Sequence, residues 1–192
     1  MDKVIIQEAI KGNTKAFKKI FDFYLPKMRP TALRYVHTEF EADDILQESF
    51  VKVFHNLSSF KHEGSFEGWI KRIVVNTALN NYKKNKNHYF NDQLDNIVEP
   101  LFEDESSDLI DEIEPSHLMK LIEELPDGYK MVFNLYVFDE LSHKEIGEAL
   151  NISDGTSRSQ YSKAKKLLKK MMSKQHIDQK SSLYREDNKN GR

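Results

Sequence analysis

The sequence predicts an all-α chain: two small helical domains joined by an acidic linker, the second holding a helix-turn-helix. Three observations lead there. Apolar residues recur at helical spacing in both halves, and no segment keeps the two-residue alternation of a half-buried strand. Charge is sorted into blocks, and from Asp92 to Glu114 there is no Lys or Arg while ten carboxylates are present, from Asp92, Asp95 and Glu99 to Asp111, Glu112 and Glu114. That stretch has weak periodicity and contains Pro100 and Ser106-Ser107, which is the composition of a linker. With 192 residues, each flanking part is long enough to bury its own core. The expected boundaries are residues 1–91, the linker 92–114, a second domain 115–174, and a polar tail 175–192 that should fray.

In the first domain, Gly12-Asn13 is a helix stop followed by an N-cap. Phe17, Ile20, Phe21 and Tyr24 then recur on one helical face. Pro26 and Pro30 predict a break. A helix follows from about Glu41 to Leu57, with Leu46, Phe50, Val53, Phe54 and Leu57 as its apolar stripe. Ser58 to Gly64 is a loop by composition. A further helix runs from about Ser65 to Lys84, with Phe66, Trp69, Ile70, Ile73 and Thr77 on one face.

The second domain reads as four short helices. Leu118, Leu121, Ile122 and Leu125 mark the first, which stops at Pro126, and Tyr129, Val132, Phe133 and Tyr136 mark the next. The third opens with Ser142-His143-Lys144-Glu145, a capping box in which hydroxyl and carboxylate satisfy orphan backbone donors, and buries Ile146, Ala149 and Leu150. Asn151 to Gly155 is a tight turn, and Asn151 suits a left-handed helix stop. The last helix runs from about Thr156 to Met172.

Several functions are excluded or unsupported. There is no cysteine, so disulfides, thiolate zinc sites and thiol catalysis are out. The seven glycines make neither a Walker A loop nor a dinucleotide fingerprint, and the histidines lack metal-ligand spacing. No catalytic residue, metal or cofactor is expected. No apolar run approaches the ~20 residues that cross a bilayer, and the first residues lack the features of a secretory signal. The expectation is a cytoplasmic protein without membrane insertion.

A net charge of −2 rules out a uniformly basic coat but not segregated basic faces. From Gly155 to Gln175 there is no carboxylate. On that last helix Tyr161, Ala164, Leu168 and Met171 form the inward face. Ser159, Lys163, Lys166 and Lys170 form another, with Arg158 and Ser162 beside them. Short hydroxyls and a guanidinium near a helix start can reach base edges, while lysines farther along neutralise phosphates. In the first domain, Arg72, Asn76, Asn80 and Lys83 lie opposite the buried face, with Lys71 adjacent, so amides could read bases and cations hold a backbone. Trp69, Phe60 and Phe66 bracket the preceding loop; Phe66 and Trp69 read as core, and Phe60 fits either core or base stacking. Finally, Asp44, Gln47, Glu48, Val51 and His55 form a mixed acidic and apolar stripe, flanked by Asp43, that suits a partner helix or a solvated face.

These segments resemble a known family. Asp43 to Phe54 is similar to the polymerase-binding helix of bacterial sigma factors, and Phe66 to Ala78 to their promoter-opening helix. Leu125-Pro126-Asp127 and Leu141 through Thr156 resemble their C-terminal promoter-binding domain. Three motifs in register over roughly residues 5–172, without an extra central domain, point to the extracytoplasmic-function group of the sigma-70 family.

The resemblance implies a protein that binds core RNA polymerase, directs it to specific promoters and helps melt the minus-ten region. Asp43, Asp44, Gln47, Glu48 and Val51 would hold the coiled-coil of the largest subunit, with the flap as a second polymerase contact. Phe60, Lys61, His62, Lys71, Arg72, Asn76, Asn80 and Lys83 would serve minus-ten DNA, one flipped base sitting in the loop Phe60 to Ser65. Thr156, Arg158, Ser159, Ser162, Lys163 and Lys166 would serve the minus-thirty-five element. The partners implied are promoter DNA, both double- and single-stranded, and an anti-sigma factor. Ser157 stands where the family usually has Val, and Gln160 and Lys163 where it often has Arg. Lysine cannot make arginine's bidentate fork, so base specificity does not transfer. Two other readings of the same residues stay open: a stand-alone helix-turn-helix regulator, and a helical adaptor whose basic faces are only solvated.

Overall fold

The computed structural model describes residues 1–61, 63–89 and 115–187, and their side chains except those of 85–89, 115 and 174–187. The expected linker and His62 lie outside the described residues. Among the described residues every regular element is helical. The chain divides into two compact units, Met1–Asp92 and Gln93–Arg192.

The first unit holds α1 (Lys3–Ile10), α2 (Thr14–Leu33), α3 (Glu39–Asn56), a 3-10 turn (Leu57–Ser59) and α4 (Phe66–Tyr89). Asn13 caps α2, its Oδ1 accepting from the backbone N–H of Lys15 and Ala16 at 3.0 and 3.2 Å. α3 starts on a capping box: Thr38 Oγ1 accepts from Glu41 N–H at 3.2 Å, and Glu41 Oε2 accepts from Thr38 N–H at 3.0 Å. The core is built from Ile20, Tyr24 and Met28 of α2, Ile45, Leu46, Phe50 and Val53 of α3, and Ile70, Val74 and Ala78 of α4. α2 and α3 also join edge to face, Phe17 against Phe54 at 4.8 Å and Phe21 against Phe50 at 4.9 Å.

Two expectations are corrected in this unit, and one element is added. Pro26 and Pro30 do not break the chain, because α2 passes through both. Asp22, Pro26 and Pro30 sit four residues apart on the exposed side, so the carbonyls that lose their donors face water, while Tyr24, Met28, Thr31 and Ala32 anchor the helix from the other side. Phe54 is not fully buried; it is 40% exposed and covered on one edge by Phe17. α1, which carried no motif, packs Ile6 and Ala9 into the core.

The second unit holds α5 (Pro115–Glu123), α6 (Asp127–Val137), α7 (His143–Leu150) and α8 (Asp154–Asp187). Leu121, Ile122, Leu125, Phe133, Ala164 and Leu168 form its core. Ser142 and Glu145 make the expected capping box on α7. Asn151 ends that helix at φ 57°, ψ 50°, the left-handed geometry its small amide tolerates. Ser153 Oγ then accepts from Thr156 N–H at 2.9 Å and starts α8. α8 does not end near Met172 but continues to Asp187, against the expectation of a fraying tail. Residues 173–187 contain no Gly or Pro, and polarity alone is not a helix stop.

Candidate polymerase and nucleic-acid interfaces

The exposed side of α3 carries Asp44, Gln47, Glu48, Val51 and His55, all at the surface as the spacing requires. Val51 is 56% exposed, and Phe40, one turn before Asp44 on the same stripe, is 76% exposed. Sequence reasoning missed Phe40; the signal was its spacing, four residues before Asp44 and eleven before Val51. Two members of the stripe are not free. Asp43 is ion-paired with Arg29, which also donates to Glu39 Oε2 at 2.9 Å, so Asp43 ties α3 to α2. That pairing, chiefly the hydrogen bond to Asp43, pushes the Arg29 pKa up and keeps its charge fixed. Glu48 pairs with Lys52 at 2.6 Å, and Lys52 in turn donates to Thr77 Oγ1 on α4 at 3.1 Å.

α4 turns Arg72, Asn76, Asn80 and Lys83 outward, while Ile70, Val74, Thr77 and Ala78 face the core. Lys71 is half-buried and engaged within the fold, so it is not a free cation. At the start of α4, Ser65 Oγ accepts from Gly68 N–H at 2.9 Å. A cavity of about 350 Å³ opens there, lined by Ser59, Phe60, Lys61, Glu63, Ser65, Gly68, Trp69 and Arg72. Phe60 is 8% exposed, its ring 5.0 Å from Phe66 and 5.6 Å from Trp69, which resolves its two readings towards core. Its ring nevertheless borders the cavity, so the hollow has an aromatic wall and a rim of opposite charges.

On α8, Thr156, Arg158 and Lys166 are exposed, and Ser159, Ser162 and Lys163 are half-buried along one side. Lys166 has a partner within the fold. Arg158 pairs with Asp154, one turn before it, at 3.1 Å. Ser157 is fully buried, its hydroxyl 2.9 Å from Nδ1 of His143 on α7. The His143 ring stacks on Tyr136 of α6 at 4.6 Å and lies 5.8 Å from Tyr161. Burial first, and Arg158 second, push the His143 pKa below its ordinary value, against a smaller opposite pull from Asp154. Ser157 thus faces α7 and not solvent, and a polar residue is stable there because the imidazole meets it.

Among the described residues there is no group of three or more metal-ligating side chains and no helix long and apolar enough to cross a membrane.

Family comparison finds a match in each of the two units. Residues 20–88 match the model for sigma-70 region 2, and residues 117–168 match that for sigma-70 region 4. The chain is 32% identical over 182 residues to the ECF RNA polymerase sigma factor SigW of Bacillus subtilis (strain 168), covering 90% of this chain and 97% of that protein. It is 31% identical over 178 residues to the ECF RNA polymerase sigma-E factor of Escherichia coli (strain K12), covering 87% and 92%. The solved structure of CnrH in complex with the cytosolic domain of CnrY aligns at a TM-score of 0.48 and 19% identity, covering 90% of this chain and 97% of that one. The two matched regions lie one in each helical unit, in order, and the full-length relatives bridge both; the chain belongs to the sigma-70 family, among its ECF RNA polymerase sigma factors.

Proposed function

We propose that this sigma factor directs RNA polymerase to promoters through three separate surfaces. The exposed stripe of α3, led by Asp44, Gln47, Glu48 and Val51, docks on the coiled-coil of the largest polymerase subunit, and the flap receives the second unit. Asp43 acts there from behind, since its carboxylate is already held by Arg29. α4 and the cavity at its start take the melted minus-ten strand. Lys61 and Arg72 hold the backbone, Asn76, Asn80 and Lys83 follow the strand, and an extruded base sits in the cavity beside the loop Phe60 to Ser65, against the aromatic wall that Phe60 and Trp69 make. α8 enters the major groove of the minus-thirty-five element with Thr156, Arg158, Ser159, Ser162 and Lys163 towards the bases and Lys166 towards the backbone.

The observation that carries this reading is the first unit's α4. One helix presents two amides and two cations outward in register, beside an aromatic-walled cavity at its own N-terminal end. Opening DNA costs ~1.4 kcal/mol per base-pair step in lost stacking, and a trapped base offsets part of that cost. The protein performs no chemistry of its own, works in the cytoplasm, and is restrained by an anti-sigma factor that covers these surfaces.

The test is promoter-directed run-off transcription by core polymerase with this protein. Asp44→Ala with Gln47→Ala weakens co-purification with core polymerase while the chain stays folded. Arg158→Ala with Lys163→Ala spares that binding and loses upstream promoter recognition. Unchanged transcription in both double variants overturns the assignment of surfaces.

A further inference from the structure

Asp154 is the first residue of α8 and the last carboxylate on that helix before Asp178. A negative charge at the groove-facing end of a DNA-reading helix opposes binding unless it does something specific there. What it touches is Arg158: Asp154 Oδ2 accepts from Nε at 3.3 Å and from Nη2 at 3.1 Å. Both atoms lie on one side edge of the guanidinium. The end edge, made by Nη1 and the second N–H of Nη2, has no partner among the described residues. Those two parallel donors match the N7 and O6 acceptors that guanine shows in the major groove.

The pair stabilises the fold little. Its side chains are 46% and 65% exposed, and exposed pairs of this spacing contribute a small fraction of the folding free energy. Its effect is on orientation: a long arginine loses rotamer freedom when it binds, and a carboxylate that already holds its side edge lowers that loss. The same grip also keeps the fork from swinging to a phosphate, where it would add affinity without sequence information. Ser157, pinned to His143, fixes the helix from which both side chains project.

We infer that Asp154 is a positioning residue that holds Arg158 end-on towards a guanine of the upstream promoter element, so that the pair, and not Arg158 alone, sets specificity at that position. This rests on the upstream-DNA role of α8 proposed above. The test uses holoenzyme assembled from core polymerase and the full chain, with promoter DNA randomised over the upstream element. The wild type selects guanine at one position. Asp154→Asn lowers the preference for guanine there by roughly tenfold, with selection elsewhere unchanged. Arg158→Lys keeps the charge and loses the same preference. Replacing that guanine by 7-deazaguanine, which lacks the N7 acceptor, weakens the wild type and leaves Arg158→Ala unaffected. If Asp154→Asn retains the guanine preference, or loses affinity equally for all four bases, the positioning role is overturned while α8 remains the reader. If Arg158→Ala leaves upstream selection intact at every position, the underlying reading of Arg158 fails with it.

Discussion

Nδ1 of His143 and the hydroxyl of Ser157 meet at 2.9 Å across the helix-turn-helix, the hydroxyl fully buried and the imidazole stacked on Tyr136. The contact joins α7, before the turn, to α8 after it. Because burial and then Arg158 hold the His143 pKa below its ordinary value, the folded unit favours the neutral ring. The unfolded chain takes up that proton near 6.5, and the folded chain only at lower pH. Stability from this site is therefore complete above about pH 6.5 and falls as pH drops through the window below it. His143→Phe with Ser157→Val removes the titrating ring and keeps the stack. Thermal unfolding at about pH 7.5 and about pH 5.5 should show a smaller loss for this double variant than for the wild type. An equal loss in both proteins refutes the assignment.

The same contact predicts a non-additive pair. His143→Phe alone leaves the Ser157 hydroxyl without its side-chain partner inside the fold, which costs about 1–3 kcal/mol. Replacing both polar partners by apolar groups is close to neutral by the same principle. Denaturant unfolding of the two single variants and the double variant measures the coupling directly.

Pro26 and Pro30 predict the opposite sign. Each removes one backbone hydrogen bond from the exposed side of α2, worth about 0.5–1.5 kcal/mol, and each stiffens the unfolded chain by about 0.4–1 kcal/mol. Relief of ring crowding against the preceding turn tips the balance. Pro26→Ala and Pro30→Ala should each raise the stability of the first unit, by about 1 kcal/mol or less. A drop in unfolding midpoint for both would show that the path the prolines give α2 is itself required for packing.

Those prolines also mark where the sequence stops being readable. Rules that act within one turn of chain were reliable: the Asn13 cap, the Ser142–Glu145 box, the left-handed Asn151, and the separation of Arg72, Asn76, Asn80 and Lys83 from the buried side of α4 all stand. Apart from the extension of α8 past Met172, what failed depends on distant neighbours. α2 survives its prolines because the opposite face is anchored on α3 and α4. Phe54 is half-covered because Phe17 reaches it from another helix, and Asp43 is occupied because Arg29, fourteen residues earlier, folds back to it. Ser157 stands where the family usually has Val, and nothing in the sequence marks its partner, His143, which comes from the facing helix.

Gly147 sets two effects against each other. In a helix interior Ala is favoured over Gly by about 0.8–1.0 kcal/mol. Here, however, an added Cβ would stand 2.8 Å from the backbone carbonyl of Ile152, and that carbonyl belongs to the turn itself. Backbone cannot swing aside as a side-chain tip does, and overpacking of this kind costs about 1–3 kcal/mol. The clash should win. Gly147→Ala should lower the second unit's unfolding midpoint and weaken upstream DNA binding together, because the turn must open to admit the methyl group. A stabilised variant would show that the turn yields to the methyl group without strain.

The α3 stripe gives the sharpest contrast between neighbouring residues. Phe40 is 76% exposed, so its ring contributes almost nothing to the core, and an aromatic of that size left in water is a candidate anchor for a partner. Phe40→Ala should leave thermal unfolding unchanged and lower affinity for core polymerase by about tenfold, in the range of an interface anchor. Asp43→Ala should behave differently. It strands Arg29 with Glu39 alone and loosens the start of α3, so it should lower the unfolding midpoint slightly and reduce polymerase affinity only as far as α3 shifts. Competition between labelled wild type and each variant for a limiting amount of core polymerase separates the two. If Phe40→Ala competes as well as the wild type while Asp43→Ala does not, the polymerase reads the acidic end of α3 directly and the apolar half of the stripe lies outside the contact.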